Sequence, residues 1–138
     1  MNRPVLEVSG LEPQPYIYTF TTPAAVAAGA SVQSSLVNGP RKFIITDIGF
    51  TSAPVGIPAA GPIFRIFIQD VGRQANWSNV PFNILALTGQ NPFINDGAAY
   101  KLPVPFTWLD NGQYLVTFTN IGTLASTPEL LLIGFLRG

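Results

Sequence analysis

The sequence contains no histidine and no cysteine, and only 10% of its 138 residues are charged. Histidine is the commonest general base, and histidine and cysteine are the usual protein ligands of transition metals. Their absence removes most catalytic and metal-binding arrangements, and it also excludes a disulfide framework. We therefore expect a non-enzymatic protein without a metal ion or a cofactor.

Charge of either sign is scarce, because seven basic and seven acidic side chains cancel to a net charge of zero. Average soluble proteins carry about 25% charged residues. A neutral chain has no field that attracts phosphates, so we do not expect nucleic acid as a partner. The carboxylates are scattered singly, and a small hydrolase, which would need two of them in a cleft, is our third-ranked hypothesis.

Long apolar runs are also missing. The stretch without charge from residue 13 to residue 40 is interrupted by proline, glycine and polar residues, which argues against a membrane span. No apolar region follows the basic residue near the start, so we expect no export signal. The membrane is therefore not an expected partner.

Thirteen prolines and thirteen glycines divide the sequence into short apolar segments. Within these segments large apolar residues tend to alternate with smaller or polar ones, which is typical of half-buried β-strands. Prolines restrict the segment at 102–106 to a sheet edge or a rigid connector. The last segment lacks alternation and indicates a strand covered on both sides, with a helix as the alternative. About eight strands are predicted, with a shorter candidate at 74–77: 16–22, 31–37, 43–51, 63–70, 82–88, 102–106, 114–120 and 129–137.

This spacing of strands and turns predicts an all-β fold, an antiparallel eight-stranded β-sandwich. We favour the jelly roll, for which eight strands are typical. An immunoglobulin-like sandwich is the alternative, although its Cys…Trp…Cys pattern is missing. Residues 1–15 mix prolines with isolated apolar residues and are predicted to form an extended N-terminal arm beside a single domain at 16–138.

So little charge on a short chain indicates that part of its surface is covered by other protein, as in an obligate oligomer. An obligate oligomer or a lattice protein is therefore expected. Arms and free strand edges pair readily with neighbouring chains, which makes the arm a candidate contact. The residues predicted at interfaces lie in the arm, at the two tryptophans and in the last strand: Val5, Leu6, Leu11, Trp77, Trp108, Ile133 and Phe135.

One region resembles a known family. The residues LPVPFTWLDNGQYLVTFTN at 102–120, followed by ELLLIGF at 129–135, resemble the carboxy-terminal half of small virion proteins of tailed bacteriophages. These are jelly-roll proteins that decorate or cement the capsid. The resemblance covers roughly the last forty residues and the overall size.

That resemblance implies a structural protein that binds as dimers or trimers to the major capsid protein lattice, or to another virion protein. It implies a location on the capsid surface after synthesis in the host cytoplasm. A place in the tail, at the portal vertex or on a fibre is the alternative within the virion. A separate alternative is a carbohydrate-binding or receptor-binding module that uses an exposed Trp77 or Trp108, although aromatic residues in small sandwiches usually belong to the core or an interface.

Overall fold

The computed structural model describes residues 13–54, 63–84 and 99–137. Within these ranges the chain forms nine β-strands and no helix. The strands, in chain order, are β1 (Gln14–Thr21), β2 (Ser31–Val37), β3 (Lys42–Pro54), β4 (Phe64–Asp70), β5 (Ala75–Asn76), β6 (Phe82–Asn83), β7 (Tyr100–Trp108), β8 (Gln113–Asn120) and β9 (Ser126–Arg137).

The strands form two antiparallel sheets. One has the order β1-β9-β3-β7, and the other has the order β2-β8-β4-β5, with β6 also paired to β4. The antiparallel pairs are nested, since β1 pairs β9, β2 pairs β8, β3 pairs β7, and β4 pairs both β5 and β6. Such nesting is that of one long antiparallel hairpin folded into two layers. The pairing of β3 with β9 and of β4 with β8 then joins the strands of each layer into one sheet. The predicted antiparallel sandwich of the jelly-roll type is confirmed.

Individual strand predictions fare well, with two corrections. The segment at 129–137 is a strand, so the helix alternative is wrong, and β9 is hydrogen-bonded on both sides by β1 and β3. Of the segment predicted at 82–88, Phe82 and Asn83 form β6 and Ile84 lies in a turn, whereas residues 85–98 lie outside the described part. The proline-containing segment at 102–106 lies in β7, at the edge of its sheet, as its missing amide protons require.

The core lies between the two sheets and is built from the inward members of each alternating strand. In β4, for example, Phe64, Ile66 and Ile68 are fully buried while Arg65 is exposed. Among the described residues, sixteen hydrophobic side chains form one buried cluster, and seven of them are aromatic. The largest of them are Trp108, Tyr114, Phe20, Phe43, Phe64 and Phe118.

A β-bulge at Thr46 decides which residues of β3 face outward. The pairing register with β9 and with β7 shifts between Ile45 and Asp47, so Ile45 and Ile48 both point into the core. The Thr46 hydroxyl donates to Asp47 Oδ1 at 2.6 Å and lies 3.2 Å from the carbonyl oxygen of Ile133. The bulge therefore places Asp47 on the outer side of the sheet, opposite Ile133.

Candidate interaction surface

The outer side of the four-stranded sheet carries a row of large apolar side chains, which we call the apolar face. Its members are the outward residues of β1, β3 and β9: Ile17, Ile44, Leu131, Ile133 and Phe135. Ile17 is 54% exposed, and the other four are half-buried. Cross-strand pairing places these residues side by side, because Ile133 lies opposite Ile17 and Phe135 lies opposite Ile44.

Gly49 of β3 explains why two of these residues are only partly exposed. A Cβ atom at Gly49 would lie 3.3 Å from Leu131 Cδ1 and 3.7 Å from Ile133 Cδ1. The two side chains of β9 therefore lean over the bare backbone of β3. This arrangement makes the apolar face continuous between β9 and β3.

The outer side of the other sheet is different. Hydroxyl and amide side chains alternate with core residues along β2 and β8, and they bond across the strands, as Ser31 does with Thr119 at 2.8 Å. Phe67 and Leu115 are half-buried apolar residues on this side, where Thr117 lies opposite Phe67. Val37 of β2 is 61% exposed on the same side. Among the described residues, directly opposite apolar pairs lie on the outer side of the four-stranded sheet, whereas Phe67, Leu115 and Val37 each lie opposite a polar residue.

Charges mark the two ends of the apolar face. At one end Lys42 and Arg137 are Cα partners, and both are exposed. At the other end Glu129 is exposed and lies opposite Thr21 and Thr51. The face is therefore basic at one end, acidic at the other and apolar between them.

A second pair of charges lies beside the apolar face on the β7 side. Asp47 lies opposite Ile133 on one strand and opposite Lys101 on the other. Lys101 is exposed, whereas Asp47 is half-buried. The row of outward residues across the middle of the sheet is therefore apolar at β1 and β9 and charged at β3 and β7.

Two of the predicted interface residues, Ile133 and Phe135, lie on the apolar face. Trp108 does not, and its predicted role is corrected by its burial. Its side chain is 0% exposed, stacks on Tyr114 with ring centroids 4.3 Å apart, and donates its indole N–H to the Gly112 carbonyl at 2.8 Å. A fully buried ring contacts neither another subunit nor a sugar.

Trp77 is half-buried at the side of the sandwich. Its ring packs against Phe106 and Tyr114, with centroids 4.9 and 6.3 Å away. Burial raises the pKa of Tyr114, and the charge of Asp70 adds to this effect, whereas the charge of Arg73 opposes it. Trp77 thus belongs mainly to the packing that closes this side of the core.

The remaining predicted interface residues, Val5, Leu6 and Leu11, lie outside the described residues, as does most of the arm at 1–15. The described chain enters the sheet at Gln14, opposite Leu136 and thus at the basic end of the apolar face. Within the described ranges there is no group of three or more side chains suited to holding a metal ion. No helix in the same ranges is long and apolar enough to cross a bilayer.

Sequence reasoning missed Ile17 and Ile44 as surface residues. A signal for Ile17 was present, because Tyr16, Tyr18 and Phe20 take one side of β1, and the residue between two aromatics must face the other side. No comparable signal exists for Ile44, which lies in an unbroken apolar run. Only its pairing with Phe135 shows that it is outward.

A shallow depression of about 450 Å³ lies elsewhere, at the hairpin that follows β4. Its lining consists of Gln69, Asp70, Val71, Gln74, Asn76 and Leu115. Asp70 is 2% exposed and bridges to Arg73 Nε at 3.2 Å. This carboxylate also accepts the Arg73 amide proton at 3.3 Å, so it stabilises the hairpin turn.

No protein-family model and no curated protein matches this sequence. Solved structures with a similar fold include the NLP core of Drosophila, described for pentamer formation and histone binding, with 14% identity over 87% of this chain and 97% of that chain, and a TM-score of 0.34. The carbohydrate-binding module CBM28, specific for non-crystalline cellulose, shows 13% identity over 88% and 73%, with a TM-score of 0.35.

A chain of turnip yellow mosaic virus is similar at the same level, with 13% identity over 92% and 84% of the two chains and a TM-score of 0.28. These similarities concern the β-sandwich architecture. They do not extend to a ligand or a partner.

Proposed function

We propose that this protein is a non-enzymatic structural protein of a virus particle, and that it binds the major capsid protein lattice of a tailed bacteriophage as a decoration or cement protein. The observation that supports an assembly role best is the apolar face, the outer side of a sheet on which large, partly exposed side chains lie in adjacent rows. Isolated surface apolar residues are ordinary, whereas a contiguous patch is typical of protein interfaces.

The scarcity of charge supports the same proposal. A domain with 10% charged residues stays in solution more readily when its apolar surface is covered by protein. The likeness of residues 102–120 and 129–135 to jelly-roll virion proteins supplies the choice of the capsid.

The N-terminal arm is the part that we propose to contact the capsid. Val5, Leu6 and Leu11 give it apolar side chains, and an extended segment can add to a neighbouring sheet through its backbone. Deletion of residues 1–12 is expected to reduce incorporation into particles strongly and to leave the unfolding midpoint of the sandwich nearly unchanged. An equal loss of folding would instead make the arm part of the core.

Immunogold electron microscopy of particles from the strain that carries the gene tests the location. Antibodies against the purified protein are expected to decorate the heads of intact particles. Gold confined to tails would contradict the capsid assignment, and unlabelled particles would contradict a virion protein altogether. Particles treated with antibodies that have been pre-absorbed with the purified protein provide the control.

A second candidate, a carbohydrate-binding or receptor-binding module, is favoured only by the depression at the hairpin that follows β4. The amide and carboxylate side chains in its lining are groups that bond sugar hydroxyls well. Glycan-array binding that is lost in Asn76→Ala, with folding intact, would favour this candidate. Retained binding in that variant, or no binding by the wild type, would remove it.

A further inference from the structure

We infer that the apolar face binds a second copy of this chain in an antiparallel, two-fold arrangement, in which Glu129 of each copy meets Arg137 of the other. The inference deepens the proposed function, since it assigns the apolar face to self-association and leaves the arm for the capsid. It stands on the placement of charges along β9.

The charges are symmetric about Ile133. Glu129 and Arg137 lie four residues to either side of it on the same strand and face outward with it. Consider a two-fold axis that lies between two facing sheets, runs perpendicular to the strands and passes over Ile133. It reverses the strand direction, sets Ile133 over its own copy and places each acidic end over the partner's basic end.

The alternative two-fold axis, which runs along the strands, is disfavoured by the same charges. It would set Glu129 over Glu129 and the Lys42–Arg137 pair over its own copy. Like charges in contact are unfavourable, whereas the antiparallel arrangement pairs opposite charges at both ends. The charge pattern therefore selects one of two packings that the apolar residues alone would allow.

The area fits a specific but weak dimer. At a spacing of about 4.8 Å between strands and a rise of about 3.4 Å per residue, the four-stranded sheet offers about 500 Å² for each copy. About 1,000 Å² in total is the lower limit for a specific interface. We therefore expect a dissociation constant in the micromolar range.

One contact in this arrangement is unfavourable. Asp47 lies in the same row as Ile133 and would approach the partner's Asp47 near the β7 side. Its neighbour Lys101 supplies an opposite charge there. Replacing Asp47 by asparagine is expected to tighten the dimer, and a weaker dimer in this variant would argue against the arrangement.

Charge reversal tests the pairing directly. Glu129→Lys alone and Arg137→Glu alone are each expected to raise the dimer dissociation constant about tenfold in sedimentation equilibrium. An equimolar mixture of the two variants is expected to restore association, because both end contacts of a mixed dimer then join opposite charges. Within one chain residues 129 and 137 are about 27 Å apart, too far for direct coupling, so recovery in the mixture reports contacts between chains.

Arg65→Glu is the matched control, because Arg65 is exposed on the outer side of the other sheet and its reversal gives the same net charge as Arg137→Glu. Arg65→Glu keeps both end charges of the apolar face, so alone it is expected to dimerise like the wild type, and it should draw Glu129→Lys into mixed dimers no better than the wild type does. If Glu129→Lys associates equally well with Arg137→Glu and with Arg65→Glu, net charge alone explains the recovery, and the inference is overturned. A wild-type protein that remains monomeric up to millimolar concentration would also overturn it. The two proposals can fail separately. If the wild type is monomeric but antibodies against it label particle heads, the proposed function stands. If the wild type dimerises but particles are unlabelled, only the proposed function is overturned.

Discussion

Lys42 and Arg137 lie directly opposite each other on β3 and β9, with both side chains exposed on the same side of the sheet. Like charges in opposite positions on neighbouring strands destabilise a sheet. A free monomer therefore carries this repulsion. A partner that brings an acidic group to this end would relieve it, which is the role we assign to Glu129 of a second copy.

Lys42→Glu is predicted to have opposite effects on the monomer and on the dimer. It creates an attractive pair with Arg137, so the free energy of unfolding of the monomer should rise by about 0.2–1 kcal/mol. It also removes a positive charge that faces the partner, so the dimer should weaken. Urea denaturation at low protein concentration measures the first effect, and sedimentation measures the second.

Lys101→Glu is the matched control for that variant. It places a second acidic group opposite Asp47, so the monomer should lose stability by a similar amount. Stabilisation by both variants would show that overall charge, and not the cross-strand pairs, determines the change.

Gly134→Ala is predicted to prevent correct pairing of β3 with β9. A Cβ atom at Gly134 would lie 1.8 Å from the carbonyl oxygen of Ile44, and this is backbone that cannot rotate away. We expect a loss of about 3 kcal/mol or more in urea denaturation, or failure to fold. Gly39→Ala is the control, since nothing lies within 4 Å of its Cβ position. Similar stabilities for the two variants would contradict the close approach.

Asn38→Ala is predicted to destabilise the protein by about 2–4 kcal/mol. Asn38 is 2% exposed, and its amide nitrogen lies 2.7 to 3.1 Å from the backbone carbonyls of Arg41, Trp108 and Leu109. Its amide oxygen accepts the Tyr18 hydroxyl proton at 2.7 Å. Tyr18→Phe removes this last bond and the longer one that the Tyr18 hydroxyl accepts from the Gly39 amide at 3.4 Å, and it should cost about 1–2 kcal/mol. Equal losses of stability for Asn38→Ala and Tyr18→Phe in thermal or urea unfolding would show that the bonds from the Asn38 amide nitrogen to the carbonyls of Arg41, Trp108 and Leu109 contribute little.

The protein is predicted to lose stability at alkaline pH because of Tyr114. Burial raises its pKa above the ordinary value of 10.0, so the folded state holds a proton that the unfolded state releases. Stability is therefore full below pH 10 and falls as the pH rises above it. Tyr114→Phe should flatten the fall in urea midpoint between about pH 9 and pH 11, although the buried Tyr18, whose pKa is also raised, leaves part of it. If the urea midpoint of Tyr114→Phe falls with pH as steeply as that of the wild type, other groups dominate the loss of stability. Tyr16→Phe, at an exposed position, is the control variant.

Much of the fold was accessible from the sequence, because local patterns determine it. Alternation in β4 separated its two faces, and the prolines at 103 and 105 restricted their segment to an edge strand or a rigid connector, of which the structure shows the edge strand. The orientation of Trp108 was not accessible, since a tryptophan that precedes a turn fits either side of a strand. Its burial depends on Phe43, which pairs with it from 65 positions away in the chain.

Only part of the apolar face could be predicted from the sequence, because the rest of it depends on pairing between distant strands. Ile133 and Phe135 were identified from an apolar strand, but the sequence did not show that Ile17 and Ile44 lie beside them. Their neighbourhood depends on the register of β9 with β1 and β3 and on the bulge at Thr46. The symmetric placement of Glu129 and Arg137 becomes meaningful only once both are known to face outward.

Hydroxyl-radical labelling of two phenylalanines tests the central claim, that a second copy covers the apolar face. Phe135 on that face and Phe67 on the opposite outer side are both half-buried, so each protein sample contains its own control. Raising the protein concentration from about 1 μM to about 500 μM should protect Phe135 and leave the labelling rate of Phe67 unchanged. Equal rates for Phe135 at both concentrations, or equal protection of both residues, would contradict the account.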